Sequence, residues 1–305
     1  MLASSYMGSP WWGRKVARLP AEGVAIVATD LQGNLEDFHA LQRVCARERD
    51  AGRRPILVLC GDLVHGPDED LVPELWPEHL GSFYRDRSDE LVLEYMAWSR
   101  EHETVCLLGN HEHAHVGGPV VSKFHLDEAA VLEERLGDRV PEVRAFMSSF
   151  PLIAVAPCGL VCTHGAPRAS EPDLEAFEQL RYDGFDGTPL WQMIDNGTVG
   201  ALLWARAATG DQARALLDAT RMNDRPNAFV AYGHDIVREG YEVIGDEQIC
   251  VSTSFGLFDA DKVYLRIELE RRYYDVHDLR DGHEILPLYP DADGVPASRL
   301  SGGPR

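Results

Sequence analysis

Short apolar runs that end in polar loops recur along the chain. The run at residues 24–28 leads into a polar loop at residues 29–34, and a run at residues 55–60 leads into a second polar loop. Runs of this length and composition are typical of buried strands. After the first loop, apolar residues recur at helical spacing at Leu35, Phe38, Leu41 and Val44. The pattern therefore predicts a strand, a polar loop and a helix that begins after Asn34.

Three further apolar runs also end in polar residues. They occupy residues 104–108, 160–162 and 228–232. The motifs that follow them are Gly109-Asn110-His111-Glu112, Thr163-His164-Gly165 and Gly233-His234-Asp235. Later runs near residues 249–252 and 263–269 are predicted to be closing strands. Strands that alternate with helices in this way indicate an α/β sandwich.

The same pattern predicts one domain at residues 23–290. A Pro-rich and acidic insertion is predicted at about residues 66–87, between the second and third motifs. Both ends of the chain are rich in glycine and proline, so residues 1–22 and 291–305 are expected to be a mobile segment and a disordered tail.

Composition and charge narrow the class of partner. The chain has 305 residues, 45 % of them hydrophobic and 26 % charged, which is typical of a globular protein. Its net charge of -21 would repel a polyanion, so we expect no long nucleic acid as partner. The sequence has no long uninterrupted apolar stretch, and we expect a cytoplasmic protein that does not enter a membrane. The oligomeric state stays open.

Five residues with metal-binding side chains stand at the ends of the predicted strands. They are Asp30, Asp62, Asn110, His164 and His234. Carboxylate, amide and imidazole groups are the ligands that hold pairs of divalent ions in hydrolytic sites. Each motif alone is common in ordinary turns, but the ordered set is specific.

The ordered motifs resemble those of the phosphoprotein phosphatase branch of the calcineurin-like metallophosphoesterases. That branch carries GDxHG, GDxVDRG, GNHE, HGG and GH in this order. The present chain has TDLQGN, GDLVHG, GNHE, THGAP and YGHD, within a match of roughly residues 24–270. The resemblance implies a four-layered α/β/β/α sandwich and a metal-dependent phosphoesterase.

The resemblance also implies a role for each motif residue. Asp62 would bridge two divalent ions, expected to be Mn²⁺ with iron or zinc as alternatives, and Asp30 and Gln32 would complete the first site. The further ligands of the second site would be Asn110, His164 and His234. A hydroxide that bridges the ions would attack phosphorus in line. His111 matches the family histidine that protonates the leaving oxygen, so it is predicted to be the general acid.

The first motif departs from the family pattern at Gln32, which stands where the family has a metal-binding histidine. A glutamine carbonyl is a weak ligand. The first metal site is therefore predicted to be weaker than the second and to favour an ion that prefers oxygen, such as manganese.

The second motif has His65 where the family has the aspartate that orients the general acid. A segment after the insertion resembles the missing part of this motif. It predicts that Asp86 orients His111 and that Arg85 or Arg87 binds phosphate. The alternative is that this segment is only the charged start of a helix.

Three more polar residues lie close to the motifs in the sequence. Arg206 follows the fourth motif and is predicted to bind the substrate phosphate. His113 and His115 directly follow the third motif, and we expect them to support the site from the loop rather than to bind metal.

The leading functional hypothesis is hydrolysis of phosphomonoesters, with a phosphorylated protein as the favoured substrate and a small phosphoester as the other. Serine/threonine phosphatase-like activity is expected because the motifs match that branch. Related folds also cleave dinucleoside polyphosphates and terminal phosphates of nucleotides or RNA, so this alternative remains open. A second class of hypothesis is a non-catalytic phosphate-binding protein, because Gln32 and His65 depart from the family pattern.

Overall fold

Two mixed β-sheets form the centre of the protein. The computed structural model describes residues 9–67, 71–222 and 224–300. The first sheet has six strands in the order β1-β5-β6-β7-β9-β8. These strands are β1 (Val16–Arg18), β5 (Ile153–Val155), β6 (Leu160–Cys162), β7 (Phe229–Tyr232), β9 (Gln248–Val251) and β8 (Tyr241–Ile244).

The second sheet has five strands in the order β11-β10-β2-β3-β4. These strands are β11 (Ile285–Pro287), β10 (Val263–Glu268), β2 (Val24–Ala28), β3 (Pro55–Leu59) and β4 (Thr104–Cys106). Strands β2, β3 and β4 are parallel to one another, and β6, β7 and β9 are parallel in the first sheet. Parallel strands end at the same edge of a sheet, so the loops that follow them can meet.

Helices cover the outer faces of the two sheets. They are α1 (Leu35–Asp50), α2 (Ser88–Trp98), α3 (Asn110–His113), α4 (Glu128–Leu136), α5 (Val140–Met147), α6 (Leu174–Glu178), α7 (Leu190–Met193), α8 (Gly197–Trp204), α9 (Gly210–Ala219) and α10 (Ala297–Leu300). Asn34 caps α1 by accepting a hydrogen bond from Asp37 N, as the sequence predicts. Among the described residues, none of the helices combines the length and the apolar character needed to cross a bilayer.

Two apolar clusters hold the layers together. One lies between the sheets and joins Val27 and Val58 of the second sheet to Ala231 and Ile249 of the first. The other joins the outer faces of the sheets to the helices, for example through Phe38 of α1. Alternate residues of a strand face opposite sides, and every residue of β2 and β3 is buried, so these two strands are covered on both faces. The arrangement of two sheets between helices confirms the predicted sandwich.

The described parts of the chain ends are more ordered than the sequence predicts. Strand β1 pairs in parallel with β5, and Trp11 is buried with its indole Nε1–H donating to Arg18 O at 2.9 Å. Near the other end, Arg299 of α10 is buried and donates to Glu239 O. Residues 1–8 and 301–305 lie outside the described residues.

The predicted insertion lies against the first motif loop. In its described part, Trp76 packs against Phe83 and Tyr84, with ring centroids 5.0 and 5.7 Å away. The hydroxyl of Tyr84 donates to Gln32 O at 2.9 Å. The insertion therefore helps to fix the backbone of Gln32. Residues 68–70, which include its most acidic stretch, lie outside the described residues.

Candidate metal centre

The five motif loops converge at the carboxyl ends of β2, β3, β4, β6 and β7. Within the described residues, the non-glycine residues with positive φ are all found here, with φ between 40° and 69°. They are Asp30, Gln32, Asp62, His65 and His234. The left-handed conformation is unfavourable for residues with a Cβ and is often found at functional sites. The backbone is therefore strained at the same place where the polar side chains meet.

Four of the predicted ligands of the second site lie together. Ligand atoms of Asp62, His164 and His234 are all within 4.8 Å of one another. The Nε2 atom of His164 lies 2.9 Å from Asn110 Oδ1 and 3.1 Å from His234 Nδ1. Oxygen and nitrogen ligands at these separations can hold one divalent ion.

The hydrogen bonding of His164 supports a metal site. Its Nδ1 lies 2.7 Å from Cys60 O, so Nδ1 carries the proton and donates to that carbonyl. Nε2 then has no proton and is an acceptor. It nevertheless faces two other acceptors, the amide oxygen of Asn110 and the carboxylate of Asp62. Acceptors that face one another inside a protein need a shared cation or proton, and a divalent ion here would satisfy all of them.

Buried carboxylates make the centre unfavourable without a cation. Burial raises the pKa of Asp62 to about 7. Burial also raises the pKa of Asp30 to about 7, and the nearby charge of Asp62 adds to this effect. Burial lowers the pKa of His164 and His234, which favours the neutral imidazoles that bind metal. The residues of the second site therefore fit a divalent ion in both geometry and charge.

The residues of the first site fit an ion less well. The carboxylate of Asp30 accepts hydrogen bonds from His234 N at 3.1 and 3.2 Å. The Nε2 of Gln32 lies 3.5 Å from Asp62 Oδ2, and its Oε1 accepts from Lys123 Nζ at 2.9 Å. The only ligand atom that Gln32 can offer is therefore already bound to an ammonium group.

The sequence profile of the calcineurin-like phosphoesterases matches residues 24–263, which is most of the chain and includes every motif loop. The chain belongs to the calcineurin-like phosphoesterase family. This finding confirms the family and the enzyme class that the motif order predicts. No curated protein sequence matches the chain.

Solved structures of phosphatases share the fold of this phosphoesterase. A serine/threonine phosphatase from Saccharomyces cerevisiae with similarity to human phosphatase PP5 has 15 % identity and a TM-score of 0.54, over 84 % of this chain and 77 % of that one. A cold-active protein-tyrosine phosphatase of a Shewanella species has 13 % identity and a TM-score of 0.50, over 84 % and 78 %.

A chain of histidines leads away from the centre of the phosphoesterase. The Nε2 of His111 lies 3.8 Å from Asp62 Oδ2, and its Nδ1 lies 3.0 Å from His65 Nδ1. The Nε2 of His65 lies 2.9 Å from His115 Nε2, and the Nδ1 of His115 lies 2.9 Å from Glu133 Oε1. Burial lowers the pKa of His65, His111 and His115, so all three imidazoles are neutral near pH 7.

The carboxylate of Glu133 determines where the protons of this chain sit. Glu133 can only accept, so His115 carries its proton on Nδ1 and leaves Nε2 as an acceptor. His65 then donates from Nε2 to His115, and His111 donates from Nδ1 to His65. The chain therefore fixes the orientation of His111 and directs its Nε2 towards Asp62 and the metal centre.

The structure does not place Asp86 next to His111, so this prediction is wrong. Asp86 accepts hydrogen bonds from Arg135 Nη1 at 2.6 Å and from Ser88 Oγ at 2.5 Å. It also accepts from Ser88 N at 3.1 Å, at the first residue of α2. Asp86 therefore lies at the start of α2, in hydrogen-bond contact with Ser88 and Arg135. His65 contacts His111 instead, and Asp86 lies against the backbone of the second motif loop, where it accepts from Gly66 N at 3.2 Å.

The three predicted phosphate-binding arginines differ in position. Arg87 pairs with Glu90 at the start of α2, with its Nε 2.9 Å from Glu90 Oε1, and lines the same cleft as Arg85. Arg85 lines a neighbouring cleft of about 430 Å³ that contains none of the metal-binding side chains. Arg206 donates from Nη1 to His234 O at 2.8 Å and to Asp235 at 2.7 Å. Only Arg206 is therefore anchored to a motif loop.

Two residues of the third motif have structural roles that the sequence did not indicate. The carboxylate of Glu112 accepts from Asp62 N at 2.9 Å, Leu63 N at 2.8 Å and Gly109 N at 3.0 Å. It therefore ties two motif loops together. A Cβ on Gly109 would overlap the backbone nitrogen and the carboxylate of Asp62. The motif Gly109-Asn110-His111-Glu112, which holds both residues within one short segment, was the available signal.

His113 and His115 do not face the metal centre. The Nε2 of His113 lies 2.7 Å from Tyr182 O, and burial lowers the pKa of His113 to about 4. His115 contacts His65 and Glu133. Both therefore support the loop from outside, as the sequence predicts.

Proposed function

We propose that this protein hydrolyses phosphomonoesters in a metal-dependent reaction. The observation that supports the proposal is the meeting of Asp62, Asn110, His164 and His234 around unsatisfied lone pairs, with the imidazole of His111 directed at the same point. This combination provides a cation site and a proton-transfer group for one phosphoryl group.

The metal ions, when bound, would activate water and neutralise charge on the phosphoryl oxygens. Asp62 and His164 hold a ligand geometry that needs little rearrangement, because each is fixed by the backbone of a neighbouring loop. In the neutral histidine chain His111 carries its proton on Nδ1, so it acts as general acid only after Nε2 has taken up a second proton from water; Nε2 then gives this proton to the leaving oxygen. Its burial makes the imidazolium form a strong acid, and the negative charge of a bound phosphate favours its protonation.

Arg206 extends the site towards solvent. Its guanidinium is 59 % exposed and is held at the backbone of His234, so it can meet a phosphate that approaches the centre. A planar guanidinium binds phosphate oxygens in pairs. We therefore assign Arg206 to substrate binding and omit Arg85 and Arg87.

Phosphorylated serine or threonine in a protein is the substrate class that we favour. The order GNHE, THG and GH and the following Glu239-Gly240-Tyr241-Glu242 are closest to the serine/threonine phosphatase branch. The serine/threonine phosphatase of Saccharomyces cerevisiae shares the fold. Manganese is the ion we favour for the site that contains Asn110 and Asp62, because it accepts oxygen as well as nitrogen ligands.

A substrate panel at a fixed Mn²⁺ concentration tests the proposed function. It contains a phosphoserine peptide, a phosphotyrosine peptide, p-nitrophenyl phosphate and diadenosine tetraphosphate. We expect release of phosphate from the phosphoserine peptide and from p-nitrophenyl phosphate. A higher kcat/KM for diadenosine tetraphosphate than for every monoester would contradict the assignment to phosphomonoesters. The Arg206→Ala variant should raise KM more than it lowers kcat if Arg206 binds the substrate phosphate.

A further inference from the structure

A lysine that belongs to no motif reaches the metal centre. Lys123 lies in the segment between α3 and α4, 91 positions after Gln32 in the sequence, and donates from Nζ to Gln32 Oε1 at 2.9 Å. Its ammonium group also lies 3.6 Å from the ring centroid of Phe255 and 5.4 Å from that of Phe124. Although Lys123 is an exposed residue, these contacts show that its ammonium end is directed inward.

The charge of Lys123 acts on the two carboxylates of the centre. The positive charge of Lys123 and the negative charges of Asp62 and Asp30 attract one another across the amide of Gln32, whose Oε1 accepts from Lys123 Nζ at 2.9 Å and whose Nε2 lies 3.5 Å from Asp62 Oδ2. The ammonium group is therefore an electrostatic partner of the same carboxylates that the first metal ion would use.

Gln32 faces two groups that leave its amide little freedom to bind an ion. Its oxygen accepts from Lys123, and its nitrogen is directed towards Asp62 Oδ2 at 3.5 Å. An ion at the first site would have to take the oxygen from Lys123 and would also be repelled by the ammonium charge. Within the described residues, Asn110 Oδ1 and His164 Nε2 of the second site contact each other and His234 Nδ1 rather than an ammonium group.

We propose that Lys123 is a resident cation of the first site, so that the protein binds one divalent ion tightly at the second site and another only weakly. Lys123 and one divalent ion together supply three positive charges to the carboxylates of Asp30 and Asp62, whereas Lys123 and two ions would supply five. This inference rests on the proposed function only because both concern the same metal centre. It assigns Lys123 as a residue that sets the metal content.

The test is a Mn²⁺ titration of the full-length, chelated protein in four forms: the parent, Lys123→Met, Lys123→Arg and Lys15→Met. Bound manganese is measured after equilibrium dialysis, and free Mn²⁺ is measured by its electron paramagnetic resonance signal. The parent should bind one ion tightly and a second with a much higher midpoint. In Lys123→Met the midpoint for the weaker ion, which is the ion of the first site, should fall by about tenfold or more. Removing one unit charge beside a dication is worth at least that much.

Two of these variants are controls for charge and for the loss of an aromatic contact. Lys123→Arg keeps the positive charge, so its second midpoint should stay high. Lys15 also places its ammonium over an aromatic ring, 3.3 Å from the centroid of Tyr182, but outside the metal centre. Lys15→Met should therefore leave both midpoints unchanged. If Lys123→Met does not fold, Lys123→Gln compared with Lys123→Arg gives the same contrast between a neutral and a charged side chain.

Two results would overturn the proposal: two equally tight ions in the parent, or the same second midpoint in the parent and in the neutral variants. Gln32→His in the Lys123→Met background adds an imidazole ligand and should tighten the second ion further. The titration requires no substrate. An absence of phosphomonoester hydrolysis would therefore contradict the proposed function but would leave the assignment of Lys123 standing.

Discussion

At the scale of single residues, the position of protons in the site follows from one carboxylate. Glu133 accepts from His115, and the alternation of donors and acceptors through His65 leaves His111 with its Nε2 directed at the centre. Family members use an aspartate for this task. A buried chain of neutral histidines avoids placing a further carboxylate near Asp62. Burial already raises the pKa of Asp62 and so opposes its ionisation.

Replacement of His111 tests its role in proton transfer. His111→Ala should lower turnover by roughly 10²- to 10⁴-fold, the range expected for a lost general acid, while the manganese content stays unchanged. The loss should be greatest for alkyl phosphates, whose leaving groups need protonation most. Steady-state rates on an alkyl and an aryl phosphate provide the comparison. Equal rates of parent and variant on the alkyl phosphate would remove His111 from this role.

Replacement of His65 tests the positioning of His111. His65→Ala should lower kcat by about 10- to 100-fold with little change in KM, and should alter the pH profile, because the tautomer of His111 is no longer fixed. His113→Ala is the matched control, since His113 is also a buried imidazole of this region but contacts Tyr182 O. An unchanged pH profile in His65→Ala, or the same change in His113→Ala, would show that the histidine chain is only structural.

At the scale of elements, the strands and their polar ends were predictable because both obey short-range rules. Apolar runs of three to six residues, each followed after one further residue by Asp or His, identified β2, β3, β6 and β7 and the side chains at their ends. The roles of Asp86 and Lys123 were not predictable in this way. They depend on how the insertion and the segment after α3 fold back on the motif loops, and neither segment has a regular pattern.

Asp86 has a structural task at the start of α2. It holds Ser88, whose Oγ also accepts from His65 N at 2.9 Å, and it pairs with Arg135. Asp86→Asn should therefore lower the free energy of unfolding by about 1–3 kcal/mol, the cost of weakening a buried charged hydrogen bond, without changing the shape of the pH–rate profile. Urea denaturation of Asp86→Asn beside Asp89→Asn, a change at the second residue of α2, measures the effect. A changed pH profile in Asp86→Asn would return Asp86 to the proton-transfer machinery.

At the scale of the whole molecule, burial of many titratable groups makes stability depend on pH. Burial lowers the pKa of a set of histidines among the described residues. They are His65, His111, His113, His115, His164 and His234. These imidazoles stay neutral in the folded chain, whereas in the unfolded chain they take up protons below about pH 6.5. Their contribution to stability is therefore complete above that pH and is lost as the pH falls.

Three buried carboxyl groups oppose this trend. Burial raises the pKa of Asp30, Asp62 and Glu112 to about 7. Their contribution to the stability of the folded chain is therefore greatest at low pH and is lost as the pH rises towards 7. The histidines are more numerous. We therefore expect the free energy of unfolding of the chelated protein to fall by at least about 1 kcal/mol from pH 7 to pH 5, measured by urea denaturation. His113→Asn should reduce this dependence. Equal or greater stability at pH 5 would contradict the expectation.

The central claim is that the five motif loops meet to form a metal-dependent phosphoesterase site. Within that site, Asp62 contributes to both metal binding and charge balance. The most direct measurement is p-nitrophenyl phosphate hydrolysis by chelated protein during a Mn²⁺ titration, with bound metal determined in the same samples, for the parent and Asp62→Asn. The account predicts that activity in the parent rises with bound manganese and that Asp62→Asn loses both. Normal turnover by Asp62→Asn with its full metal content, or a metal-loaded parent without hydrolysis, would contradict it.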